Sequence, residues 1–235
     1  MTRICAVFLI WCSVSAHLAA LAKESFAWSL PDNFVHVEDV IPNIKMDLRY
    51  FTDRNFLGRR VDGCVKPRLI LTKEAAEALR KVQEDLNGFG LELKIFDGYR
   101  PQRAVDDFVR WARDPGDTKT QAEYYPKVRK KEDLLKEQYL VERSGHSRGS
   151  AVDLTIVFSD KQGRDSELHM GTPFDFFGPE SNPNSALVSA ECRAHRMLLQ
   201  EIMQKHGFKP SSKEWWHFSL KNEPFPSTYF DFPIE

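Results

Sequence analysis

The chain has 235 residues, with 33 Lys+Arg against 34 Asp+Glu and a formal charge of -1. A balance so close to neutral gives no electrostatic basis for nucleic acid as a partner. Its cysteines, at positions 5, 12, 64 and 192, show no Cys-x-x-Cys spacing, which argues against a cysteine-built metal module.

Met1-Thr-Arg3 is a short basic start, followed by an uncharged, mainly apolar run from Ile4 to Ala22 that closes on Ala20-Leu-Ala22. That pattern describes a secretory signal peptide, residues 1–22, cut after Ala22. Two rivals stand beside it: an uncleaved anchor, since the run is nearly long enough to span a bilayer, and a lipoprotein signal at Leu9-Ile-Trp-Cys12, which the bulky Trp11 disfavours. Cleavage leaves residues 23–235, one domain's worth of chain with 32 basic against 34 acidic residues. The expected mature protein is exported and periplasmic, with no stable membrane insertion. Of its two cysteines, Cys64 and Cys192, an oxidising compartment allows either a disulfide or two buried thiols.

From Lys23 to about Leu71 the sequence reads as loops with short extended pieces at Phe34-Val-His-Val and Met46-Asp-Leu-Arg-Tyr50. Thr72 is then an N-cap for a helix whose Ala75, Ala76, Leu79, Val82 and Leu86 recur at helical spacing, with Gly88 as its stop. Leu91-Glu-Leu-Lys-Ile-Phe96 alternates like a half-buried strand and delivers the turn Asp97-Gly-Tyr-Arg100. Arg100 there is either a guanidinium for a developing oxyanion or a surface residue paired with Asp97. Pro101 to Arg113 predicts a helix, and the charged stretch from Asp114 to Arg143 a mobile excursion or short helices with a solvated face.

The stretch Ser144-Gly-His-Ser-Arg-Gly-Ser-Ala-Val-Asp153 places His146 on a loop and Asp153 on the β-branched strand that follows. After a turn at Ser159–Gly163 and a loop at Met170–Asp175, Ser189 caps a helix carrying Leu198, Leu199, Ile202 and Met203, which Gly207 ends. His195 and His206 read as helix-surface residues. Near the end comes Glu214-Trp-Trp-His217, whose outer two side chains share a face on a helical turn or across a bulge but not on a regular strand. Helices interspersed with short strands, with no regular βαβ repeat, predict an α+β domain with a mainly antiparallel sheet.

His146, Asp153 and His217 together supply the two imidazoles and one carboxylate that bind zinc and leave a fourth position open, with Glu214 free as a proton acceptor. Each residue taken singly is more often a satisfied structural polar group than a ligand. The pattern Ser144-x-His146-x-x-Gly149-x-Ala151-x-Asp153 with Glu214-Trp-Trp-His217 resembles the zinc D-alanyl-D-alanine dipeptidases of the VanX type, relatives of D,D-carboxypeptidases and Hedgehog domains. The resemblance extends through Asp47-Leu-Arg-Tyr50, Asn55-Phe-x-Gly58, Val61-Asp-Gly63, Asp97-Gly-Tyr-Arg-Pro101, Met170-Gly-Thr-Pro-Phe-Asp175 and the run from Glu223 to Pro233.

The resemblance implies a Hedgehog/D,D-peptidase-like fold and one Zn²⁺ per chain held by His146, Asp153 and His217. It further implies Glu214 as general base, Arg100 as oxyanion support, Asp175 and Tyr50 as receivers of the dipeptide amino group, and Ser144 lining the substrate site. The implied activity is hydrolysis of D-alanyl-D-alanine, a small D-amino-acid dipeptide, in cell-wall turnover or salvage. D,D-carboxypeptidase trimming of peptidoglycan stems and a non-catalytic wall-fragment binding module are the alternatives. Cys64 departs from the family's Tyr after Val-Asp-Gly and bears on local packing alone.

Overall fold

A computed structural model describes residues 29–160 and 162–235. The expected signal segment, 1–22, lies outside the described residues, so its cleavage is an expectation from sequence alone.

The first elements wrap the domain's edge. β1 (Phe34–His36) pairs antiparallel with β3 (Ile70–Thr72), and between them lie a one-turn α1 (Val37–Val40), the short β2 (Lys45–Met46) and a 3-10 turn at Arg49–Phe51. The predicted extended piece at 46–50 is therefore only half extended; beyond Met46 the chain curls so that the Tyr50 ring packs among Phe56, Phe108 and Phe174. α2 (Lys73–Asn87) follows β3, and the Thr72 hydroxyl accepts from the Ala75 N–H as a side-chain N-cap, satisfying one of the donors a helix start leaves open. Its inward face is Ala75, Ala76, Leu79, Val82 and Leu86, all fully buried, each larger side chain contributing about 1.5–3 kcal/mol.

β4 (Leu91–Asp97) and β5 (Ala151–Ser159) form the centre of a six-stranded sheet of order β2-β4-β5-β8-β7, where β7 is Phe208–Pro210 and β8 is His217–Leu220. β6 (Asp165–Glu167) pairs with the far end of β5. Among the described strands of this sheet only β2 and β4 run parallel, so the expected mainly antiparallel α+β arrangement is what the chain adopts. β5 is buried from Ala151 to Val157, which explains its continuous β-branched and apolar composition. The decisive feature is register. Asp97, Asp153 and His217 lie directly across from one another on three adjacent strands, and a register shift between Ile95 and Asp97 re-aims the end of β4.

α3 (Gln102–Arg113) starts from Pro101, as its fixed φ favours, and buries Phe108 and Trp111. The 114–143 segment holds α4 (Gln121–Tyr124) and α5 (Asp133–Lys136). Its charges do not simply form a solvated face: Tyr124, Tyr125, Leu134 and Leu140 are buried, and so is Lys131. α6 (Ala190–Lys205) is capped by the Ser189 hydroxyl, which accepts from Cys192 N, and Gly207 at φ 89 reverses the chain after it. His206 reaches Asp85 on α2 at 2.6 Å, and His195 reaches the His169 carbonyl at 3.0 Å. Cys64 and Cys192 are free, buried thiols. The C-terminal tail returns across the domain, Phe230 N donating to Ser147 O and Ile234 N to Gly63 O. Among the described residues no helix is long and apolar enough to cross a membrane.

Candidate active site

The turn that enters β5 is built around His146. Ser144 caps the 3-10 turn Gly145–Arg148 by accepting from His146 N, and Gly149 closes it at φ 81, where the His146 carbonyl accepts from Gly149 N. Glycine is required at this position twice over. The left-handed backbone disfavours any L side chain, and a Cβ there would stand 2.3 Å from Phe34 Cε1. The turn aims His146 inward, with Nδ1 2.7 Å from the Gly98 carbonyl. That contact keeps the proton on Nδ1 and turns the Nε2 lone pair toward Asp153 and His217.

Glu214 and His217 come from a tight turn. Ser211 Oγ accepts from Glu214 N, and His217 N donates back to the Glu214 carbonyl at 3.2 Å before β8 begins. A turn rather than a bulged strand is thus what puts both side chains on one side.

Three candidate ligand atoms form a triangle. His146 Nε2 lies 3.1 Å from His217 Nδ1 and 3.3 Å from Asp153 Oδ1, and His217 Nδ1 lies 3.0 Å from Asp153 Oδ1. A tetrahedral ion with bonds of about 2.0–2.1 Å has ligand edges of about 3.3 Å, so the donor set and its spacing fit Zn²⁺ closely. Among the described residues no other group of three such side chains converges in this way. Burial acts to raise the Asp153 pKa, but the neighbouring imidazoles of His146 and His217 outweigh it and hold the carboxylate well below its usual range. It is therefore ionised, as a ligand must be.

Arg100 is paired with Asp97, as one of the two sequence readings expected, yet it is not on the surface. Its guanidinium is buried, donates from Nε and Nη2 to Asp97 Oδ2 at 3.0 and 2.7 Å, and lies over the Tyr50 and Phe108 rings. Arg100 Nη2 is also 3.6 Å from Asp153 Oδ2. Burial opposes its charge, but Asp97, Tyr50 and Asp153 together raise its pKa, so the cation persists at any working pH. Asp97 Oδ2 stands 3.3 Å from His146 Nδ1 as well, one oxygen steadying both side chains.

Opposite lies Asp175, whose two oxygens are 3.2 and 3.0 Å from the donating Tyr50 hydroxyl. Its φ of 62 is uncommon for a residue other than glycine and marks a strained position. Burial, then the Asp153 charge, pushes its pKa well above the ordinary value. Burial likewise pushes Glu214 up to about 7.

His146, Asp153, His217, Glu214, Arg100, Asp175, Tyr50 and Ser144 all line a single cavity of about 210 Å³. Its walls also include Trp216 of the Glu214–His217 stretch, and Tyr139, Leu140, Phe177 and Ser211, which sequence reasoning did not single out. The uncharged Tyr139-Leu140 pair inside a charged stretch was the available signal for two of them.

Comparison with known proteins matches residues 31–235 to the D-ala-D-ala dipeptidase family of the M15 peptidases. The D-alanyl-D-alanine dipeptidase of Streptomyces coelicolor is 41% identical over 203 residues, which is 86% of this chain and 98% of that protein. The enzyme of the same name from Enterococcus faecium is 38% identical over 203 residues, again 86% of this chain and 98% of its own length. That of Enterococcus faecalis is 38% identical over 206 residues, covering 87% of this chain and all of that one.

Proposed function

Because the chain belongs to the M15 family of D-Ala-D-Ala dipeptidases, we propose that its cavity hydrolyses D-alanyl-D-alanine to two D-alanines with one Zn²⁺ held by His146, Asp153 and His217. The observation that carries this reading is the ligand triangle, assembled from two distant parts of the chain beside a free carboxylate and a buried guanidinium.

A bound Zn²⁺ supplies Lewis acidity to the scissile carbonyl and to the attacking water. Glu214 takes the proton from that water; a carboxylate raised to about 7 by burial accepts it readily and returns it to the departing D-alanine nitrogen. Arg100, fixed by Asp97 and lying over the Tyr50 and Phe108 rings, directs its positive charge at the carbonyl oxygen as that oxygen turns negative. Asp175 and Tyr50 receive the substrate ammonium. A carboxylate this deeply buried favours a partner that brings a positive charge, and a peptide whose amino end is acylated brings none. Ser144, at the cap of the His146 turn, lines the wall where the substrate rests.

The apolar start of the sequence supports export, and with it a periplasmic role in salvaging dipeptide from cell-wall turnover. N-terminal sequencing of the secreted protein should find Lys23 first; a chain retaining Met1 would overturn that reading. For the activity, the zinc-loaded protein is assayed against D-Ala-D-Ala, L-Ala-L-Ala and an N-blocked stem pentapeptide. Cleavage of the D,D dipeptide alone is the expected result. Cleavage of the blocked pentapeptide would make the protein a D,D-carboxypeptidase, and no cleavage of any would make it a binding module.

A further inference from the structure

The loop that presents Asp175 is anchored by a residue outside every motif named so far. Arg196, on the inner face of α6, is fully buried. Its Nε donates to the Met170 carbonyl at 2.6 Å, and its Nη1 donates to the carbonyls of Glu180 and Asn182 at 2.8 and 2.7 Å. One guanidinium therefore holds both ends of the segment 170–182, with Asp175 near its middle.

The same segment is tied to the Glu214 turn. Trp215 N donates to the Ser181 carbonyl at 3.0 Å, and Trp215 Nε1 donates to Thr172 Oγ1 at 2.9 Å. Thr172 and Ser181 share a hydrogen bond of 3.0 Å, and Ser181 Oγ donates to the Phe176 carbonyl at 2.6 Å. Trp216, the second aromatic of the motif, sets its ring edge-on to Phe174. The two tryptophans thus fasten the turn that carries Glu214 to the loop that carries Asp175.

The chemistry of the clamp is unusual. Burial lowers the Arg196 pKa to about 10, which still leaves it charged at neutral pH. Its hydrogen bonds go to carbonyls alone, with no carboxylate among them, so a desolvated cation is spent on fixing backbone. Leucine or methionine would fill such a helix face at less cost, but neither reaches three carbonyls with a rigid fork.

We propose that Arg196 is a positioning residue for substrate recognition: it clamps the 170–182 loop so that Asp175, held at its strained backbone angle, meets the substrate's amino group at a fixed distance from Glu214. The proposal rests on the reading of the cavity as a dipeptide site. Arg196 touches neither the ligand triangle nor Arg100, so its loss should act on binding of the free amino end and spare the metal.

The test compares Arg196→Met, Arg196→Lys, Trp215→Phe and Thr172→Val with the wild type. KM and kcat are measured for D-Ala-D-Ala, together with the preference for that dipeptide over its N-acetyl derivative and the zinc content. Arg196→Met should raise KM by about 10- to 100-fold, as expected for a displaced recognition group, with kcat changed far less. Zinc content should stay at the wild-type level, and the preference for a free amino group should fall in step with KM. Arg196→Lys should behave like Met rather than rescue, because a point charge cannot bridge the three carbonyls. Trp215→Phe, which removes the Nε1 donor to Thr172, and Thr172→Val, which removes that contact and the one with Ser181 Oγ, should move KM in the same direction by less, and they carry the test if Arg196→Met does not fold. Wild-type KM and free-amine preference in the folded, zinc-loaded variants would overturn the proposal, as would a loss confined to kcat. An inactive wild type would instead defeat the dipeptidase reading. Hydrogen exchange of the 170–182 amides reads the clamp independently of turnover, and unchanged protection in the Arg196 and Thr172 variants would refute it.

Discussion

Replacing Asp175 by Asn isolates the charge at the proposed recognition end of the cavity. The amide has nearly the same shape and keeps an oxygen to accept from the Tyr50 hydroxyl, which now lies 3.0–3.2 Å from the carboxylate. What disappears is the negative charge that the ionised Asp175 would present to the proposed substrate ammonium. Removing one partner of a buried ion pair costs about 3–5 kcal/mol, and at about 1.4 kcal/mol per tenfold that is roughly 10²–10⁴ in kcat/KM. The cavity opens to solvent on one side, so the lower half of that range is expected, and most of it in KM. Initial rates of D-alanine release measure it. The N-acetyl dipeptide, which has no ammonium, should lose nothing, so the discrimination between the two substrates collapses. The same substitution should stabilise the free protein. Burial raises the Asp175 pKa in the folded state, so its carboxyl favours folding while protonated, and that contribution fades as pH rises from about 4 toward the raised value. Asn never ionises, so its melting temperature relative to wild type should be higher at pH 8 than at pH 4. An Asn variant with wild-type KM, or one whose relative stability falls with rising pH, would refute the assignment.

Glu214→Gln should keep its zinc, measured by elemental analysis, and lose kcat by about 10²–10⁴; near-normal turnover would remove Glu214 as the base. Gly149→Ala forces a Cβ onto the Phe34 ring at a left-handed backbone position, and chemical denaturation should show a loss of about 2–4 kcal/mol. Asp107 is buried beneath a two-pronged Arg59 contact at 2.7 and 2.8 Å and also accepts from Asp62 N. Because Arg59 is itself well exposed, Asp107→Ala should cost only about 2 kcal/mol. Burial opposes the Asp107 charge, but Arg59 and Asp62 outweigh it and depress its pKa. The stability difference from wild type should therefore be full above about pH 4 and vanish as pH falls through the depressed value. A difference that grows on acidification would contradict it.

What could be read in the sequence was what is local or strongly typed. Thr72 and Ser189 announce their helices because an N-cap needs only its own first turn. Asp153 shows as a lone carboxylate in a β-branched strand, and the ligand set shows by residue type. The spacing of Glu214 and His217 left a turn and a bulge open, since that choice depends on Ser211 and on where β8 begins. Arg100 gave two readings because its pairing with Asp97 is local while its burial is made by Tyr50 and Phe108, from elsewhere in the chain. The 114–143 segment looked like solvated charge because its few anchors, such as Tyr125 against Trp111, are long-range. Arg196 gave no signal at all: its partners are carbonyls of a distant loop, and backbone acceptors leave no trace in residue type.

The proposed catalysis depends on one ion gripped at one place. Anomalous diffraction at the zinc edge from zinc-loaded crystals, with a His217→Ala crystal as reference, examines that directly. A single peak per chain is predicted within about 2.0–2.2 Å of His146 Nε2, Asp153 Oδ1 and His217 Nδ1, absent or much weakened when His217 is removed. A peak elsewhere, or one of undiminished height in His217→Ala, would contradict it.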